Sequence, residues 1–303
     1  MDAAAGRFVY LLGMLAVGVG ARYVGLLDEY RRDRLNALAF YVVLPSLIFV
    51  STYDRALATL LSPELVFGVF VVLFATVGLA WLVHRRRSQA DRRGVAVVQS
   101  YHSNLGYLGL PLVAATFGPD ATATAGLLLG LVTLTQVPVT VWVLVTVADA
   151  EVSVLDQVRE LLTNPVLIAL ALGIVVAWFG LGVPAAVVTP LSLVGELALP
   201  VALILVGSAL ELDQSIVDPT ATASVVALKL CWMPLAAWLT FSTLGVDSAV
   251  FTASVFMLGM PTAVSTFVYA TELGGDAEFA SLNVFATTLA SVGTSFVLIL
   301  LLG

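Results

Sequence analysis

The sequence predicts an all-α membrane protein of ten transmembrane helices, built as two inverted five-helix repeats with broken, crossing helices 4 and 9. Three observations lead there. Sixty per cent of the 303 residues are hydrophobic and only 11% are charged, with a mean hydropathy of +1.05; a soluble domain carries about 25% charged residues. The apolar residues gather into runs near 7–27, 35–53, 63–83, 95–117, 121–148, 164–181, 188–210, 220–244, 249–271 and 279–302, each close to the roughly 20 residues a bilayer crossing requires. Lastly, Gly109-Leu110-Pro111 in the fourth run returns as Gly259-Met260-Pro261 in the ninth, and Leu44-Pro45 in the second returns as Leu199-Pro200 in the seventh.

Taken in order, the first run has only Arg7 ahead of it and outlasts the apolar stretch of a signal peptide, which marks it as a retained helix. Arg31, Arg32 and Arg34 follow it, and Arg85, Arg86, Arg87, Arg92 and Arg93 separate runs three and four. The second and fourth connectors hold only Arg55. Basic residues in short connectors stay cytoplasmic, so connectors one and three lie inside the cytoplasmic membrane and both termini outside. Segment 149–163 mixes charged and apolar residues and reads as a short cytoplasmic linker, an interfacial helix between repeats 1–148 and 164–303. Because five is odd, the second repeat enters the membrane from the opposite side. The basic clusters are short connectors, so the lipid bilayer is the expected partner and nucleic acid is not. Cys231 is the only cysteine, which excludes an intrachain disulfide.

Proline in a span removes a backbone donor and crowds the carbonyl four residues back. In hydrocarbon this is tolerated where the irregular backbone is buried in protein or lines a wet cavity. Interrupted segments at matching positions of two halves point to a carrier's binding site. A break near Gly106–Gly109 would make Pro111 the first residue of a half-helix and turn the N–H groups of Leu112 and Val113 into the gap. Pro261 would do the same for Thr262 and Ala263. Each helix N-terminus carries about half a positive charge, so two of them form an anion site, to which Asn104 adds an amide donor. The expected substrate is a small carboxylate anion.

The freed carbonyls of Tyr107 and Met257, with hydroxyls from Ser103, Ser265 or Thr266, offer a weaker alternative, a sodium site, although no carboxylate stands beside either break. Glu196 lies four residues before Pro200 and is the deepest acid in the chain. It is either a proton-coupling carboxylate or the ion-pair partner of Lys229, the only lysine. Lys229 has a further role open to it, attracting the substrate anion. His102 reads as a packed, hydrogen-bonded histidine, Gln136 beside Pro138 as a secondary lining candidate, and Asn283, Thr287, Ser291 and Thr294 as a helix–helix stripe. No cofactor or metal is expected, with a proton as the favoured coupling ion. Catalysis is not expected either: the two histidines, His84 and His102, lack a His-Glu-x-x-His context, and no histidine follows residue 102 to serve a serine.

These stretches, together with Tyr41 to Phe49, Asn104 to Pro111, Asn164-Pro165, Ala198-Leu199-Pro200 with Val206-Gly207-Ser208, and Gly259 to Val264, resemble the auxin efflux carrier family. It includes plant PIN-type exporters and prokaryotic malate and malonate permease-like proteins. The resemblance implies a fold like that of bile-acid/sodium symporters, with helices 1, 2, 6 and 7 as a scaffold and helices 3–5 and 8–10 as a transport domain. It also implies substrate contact at Asn104, Pro111 and Pro261, and a homodimer through the scaffold. The sodium-binding acid of bile-acid symporters has no counterpart around Pro261, where Thr262, Ser265 and Thr266 stand. A carboxylate sensor on the same fold is the alternative function.

Overall fold

The computed structural model describes residues 2–55, 62–148, 153–209 and 218–303. In chain order the helices are α1 (Asp2–Tyr23), α2 (Glu29–Thr52), α3 (Pro63–His84), α4 (Ala90–Gln99), α5 (Leu105–Thr116), α6 (Pro119–Ala148), α7 (Val154–Thr163), α8 (Pro165–Trp178), α9 (Ala185–Ala209), α10 (Pro219–Leu244), α11 (Ser248–Leu258), α12 (Ser265–Glu272) and α13 (Ala277–Leu302). Among the described residues there is no β-strand. Six of the described helices (α2, α3, α6, α9, α10 and α13) are long and apolar enough to cross a membrane, and the pair α7 and α8, bent by 58°, adds a seventh candidate. The fourth and ninth apolar runs are each divided into two helices, as their prolines and glycines suggested.

Three prolines act by a common device. Pro45, Pro111 and Pro234 each follow a single π-turn, at Ala39–Val43, Leu105–Gly109 and Leu228–Trp232. The residue before each proline donates its N–H five residues back, Leu44 to Ala39, Leu110 to Leu105 and Met233 to Leu228. The wider turn relieves the clash between the proline ring and the carbonyl four residues earlier, so the helix continues. Pro111 therefore does not open a half-helix: the helix runs from Leu105 to Thr116, and the N–H groups of Leu112 and Val113 lie inside it. The break sits upstream, at 100–104.

Packing sorts the helices into two sets. In the first, α1 lies along the second half of α9, and α8 and the first half of α9 both pack on Leu44–Thr52 of α2. The first of these contacts is close because Gly18 and Gly207 face each other's helices: a Cβ on Gly18 would strike the Ile204 carbonyl, and one on Gly207 the Leu15 carbonyl. In the second set, α6 packs on α4 and α11, while α10 packs on α3 and α11.

Ion pairs tie connectors together at the two ends of the bundle. Arg55 meets Asp120 at 3.2 Å at one end. At the other, Arg87 meets Asp218 at 2.8 Å and Arg92 meets Asp276 at 2.6 Å. Asp276 also caps α13, accepting from the Phe279 N–H. Burial pushes the Asp276 carboxyl up, but that N–H and Arg92 together hold it below its ordinary value.

Candidate functional site at the crossing of two broken helices

The gap between α4 and α5 meets the gap between α11 and α12 as a short antiparallel bridge, Ser103 opposite Thr262. The Asn104 N–H donates to the Pro261 carbonyl at 2.8 Å, and the Ala263 N–H to the His102 carbonyl at 3.0 Å. Two extended stretches deep in an apolar bundle thus satisfy each other's backbone, as burial requires.

Side chains from the flanking helices complete the bonding. Gln136 of α6 accepts from the Ser103 N–H at 3.1 Å and donates to the Ser103 carbonyl at 3.3 Å. Thr287 of α13 accepts from the Thr262 N–H at 3.3 Å. The Thr262 hydroxyl donates to the Gln99 carbonyl, the last residue of α4, at 2.6 Å. The Gln99 side chain holds Thr266, the Ala280 carbonyl and Asn283 at 2.8–3.0 Å, so α4, α12 and α13 are joined by one amide. His102 is packed and bonded to Thr140 at 2.8 Å. Of the stripe Asn283, Thr287, Ser291 and Thr294, the first two bond to the crossing, while the Ser291 and Thr294 hydroxyls bond carbonyls of their own helix.

The Thr262 and Ala263 N–H groups, expected to face the gap without partners, are both bonded. The helix starts at the crossing are those of α5 at Leu105 and α12 at Ser265. Asn104 caps α5: its Oδ1 accepts from the Tyr107 N–H at 3.3 Å. Since only the oxygen can meet a backbone N–H, the orientation of the amide is determined, and its Nδ2 is buried with no partner among the described residues.

Beside Asn104 opens a cavity of ≈1320 Å³. Its floor carries His102, Ser103, Asn104, Gln136, Ala263 and Ser265, and its walls include Phe40, Leu44, Leu129 and Phe267. The cavity lies between α2, α8 and α9 on one side and α5, α6, α12 and α13 on the other. Tyr107 spans it, donating its hydroxyl to Asn36 of α2 at 2.7 Å. Charged side chains line its outer part: Arg32 with Glu29, Asp33, Glu160, Glu272 and Glu278. They come from α2, α7, α12 and α13, remote in sequence, so composition by itself could not bring them together.

Of the residues singled out from sequence, the cavity therefore gathers His102, Ser103, Asn104, Tyr107, Gln136, Ala263 and Ser265, with Pro261 contributing a carbonyl behind them. Pro111, Leu112 and Val113 are buried within α5, and none of the three lines the cavity. Three of the oxygens proposed for a sodium site have partners within the protein. The Met257 carbonyl accepts from Met260, the Ser103 hydroxyl points to the Tyr101 carbonyl, and Thr266 bonds the Ala263 carbonyl.

Glu196 does not pair with Lys229. It is exposed at a turn midway along α9, away from the crossing. Lys229 is wholly buried, its Nζ 2.9 Å from the Leu258 carbonyl and 3.2 Å from Met233 Sδ.

The family model for membrane transport proteins matches residues 5–155 and 151–299. An uncharacterized transporter of Methanothermobacter thermautotrophicus is 26% identical over 294 residues, which is 93% of each chain. A second uncharacterized transporter, from Methanocaldococcus jannaschii, is 28% identical over 122 residues, covering 38% of this chain and 39% of its own.

Proposed function

The chain belongs to the membrane transport protein family, the auxin efflux carriers whose motifs its sequence carries, and on that premise we propose that it is a secondary active transporter of small organic carboxylate anions. Alternating access would come from α3–α6 and α10–α13 moving against α1, α2, α8 and α9 around the crossing. The inverted repeats 1–148 and 164–303 would supply that symmetry.

One observation carries the carboxylate reading. Asn104 holds a buried amide donor with no partner among the described residues, on the floor of a cavity, at the N-terminal end of α5. A buried donor left unmade costs about 1–3 kcal/mol, and a bound carboxylate would satisfy it with a charge-assisted bond. The α12 N-terminus opens on the same cavity through Ser265, and its dipole adds in the same sense.

The cavity is bordered by the N-terminal end of α2 and by Glu160 of α7, on the side where the arginine-rich connectors lie. By the distribution of basic residues that side is cytoplasmic, so this conformation would be inward-facing. Glu196, exposed halfway along α9, is costly in lipid; a homodimer through that face would cover it.

The test is counterflow of labelled mono- and dicarboxylates in proteoliposomes, with proton and sodium gradients imposed in turn. Exchange of at least one acid, abolished in Asn104→Ala, is the expected result. Stimulation by one gradient would name the coupling ion, and none would mean uniport. Tight binding without exchange would replace the carrier reading with a sensor.

A further inference from the structure

Lys229 is the one lysine of the chain, it is fully buried, and the crossing described above assigns it no role. It sits in the π-turn Leu228–Trp232 of α10. A lysine ammonium carries three donors, and at the middle of a membrane span it is expensive unless compensated. Among the described residues none of the ion pairs involves it. Its compensation is the Leu258 carbonyl at 2.9 Å, with Met233 Sδ at 3.2 Å.

Leu258 is the last residue of α11. The carbonyl end of a helix carries about half a negative charge, and here that end is buried just before the gap. The ammonium neutralises it. Met233 links this point to the cavity floor, because its Sδ lies 3.9 Å from the Ser103 hydroxyl, and Ser103 borders the cavity beside Asn104. Lys229 thus stands one side chain behind the floor. With the α11 carbonyl end met by the ammonium, that end no longer opposes the two helix N-termini at the floor, those of α5 and α12; the α4 carbonyl end is met by the Thr262 hydroxyl.

We infer that Lys229 is a tethered cation built into the crossing, whose charge makes the cavity floor selective for anions over uncharged ligands of the same shape. The inference rests on the carboxylate reading of the cavity. It also implies that the carbonyl end of α11 needs no exchangeable metal cation, because a covalently held one occupies it.

The test measures, by inhibition of counterflow, the affinity ratio between a transported carboxylic acid and its uncharged amide. Lys229→Met keeps the length and removes the charge; the ratio should fall at least tenfold, while Lys229→Arg should hold it within threefold. A ratio unchanged in Lys229→Met overturns the inference. Should Lys229→Met not fold, the wild-type protein decides: counterflow equal in sodium, potassium and choline supports a tethered cation, and a strict sodium requirement overturns it. The Asn104→Ala variant separates the two claims. If it transports normally, the cavity reading itself fails; if it is inactive while Lys229→Met keeps its ratio, only the role of Lys229 fails.

Discussion

At the end of α4 the carbonyl of Gln99 is met by the hydroxyl of Thr262, whereas at the end of α11 the carbonyl of Leu258 is met by the ammonium of Lys229. The beginnings of the following half-helices differ as well. α5 is capped by the side chain of Asn104. α12 has no side-chain cap and begins with 3₁₀-like bonds from Thr266 to Ala263 and Phe267 to Val264. The prolines differ in place: Pro111 lies a helical turn and more beyond the gap, while Pro261 is within it and lends its carbonyl to Asn104. Two segments with the same Gly-x-Pro phrase therefore occupy related positions without being equivalent. The first brings the unpaired donor to the cavity; the second brings backbone support, and the end of its α11 is met by Lys229 of the neighbouring α10.

The strongest way to break this division of labour is Asn104→Leu. Loss of a hydrogen bond to a charged group is worth about 1.5–3 kcal/mol, so carboxylate affinity should fall roughly 10–100-fold, measured by inhibition of counterflow. An equal loss from a change at Val264, the corresponding position before α12, would erase the asymmetry.

Next in size is Thr262→Val, which strips the buried Gln99 carbonyl of its donor. A cost of about 1–3 kcal/mol should lower the thermal midpoint by several degrees, and Thr262→Ser should restore most of it. Gln136→Leu and Thr287→Val sharpen the comparison further. Gln136 makes two bonds to Ser103 and Thr287 one to Thr262, so the first should destabilise more than the second. Equal midpoints would mean that the two gaps are supported alike.

A smaller effect is expected at Asp276→Asn, which keeps the helix cap but weakens the tie to Arg92. Because the folded carboxyl is held low, its contribution is present above the unfolded value, about 3.9, and is lost as pH falls through the lower folded value. The midpoint difference between wild type and variant should therefore be visible at pH 7 and close as pH falls below about 4. Glu196→Gln should leave the pH profile of counterflow unchanged, since Glu196 lies away from the crossing; a lost pH dependence would return proton coupling to that carboxylate.

Much of the architecture was legible in the residues. Membrane burial makes a helix both long and apolar, so apolar runs could be counted, of which six helices, or seven with the bent α7–α8 pair, are long enough to span among the described residues; the need to satisfy backbone in hydrocarbon marks Gly-Pro interruptions as sites of use. Asn104, an amide beside such an interruption, was visible for the same reason. Less legible was where each helix breaks. Pro111 was read as a helix start because proline is favoured there, but a π-turn accommodates it and carries the helix back to Leu105.

By itself, then, the sequence determined a many-helix membrane bundle with two interrupted segments and a candidate amide donor, because hydrophobic length and missing backbone donors are local properties. Only the tertiary structure decided that the gaps bond to each other, that Lys229 answers the end of α11 while Glu196 stands apart, and that five carboxylates with Arg32 line the cavity's outer part. Such relations join residues far apart in the chain; the bond from Asn283 to Gln99 spans 184 positions. No local rule of spacing specifies which helices will meet.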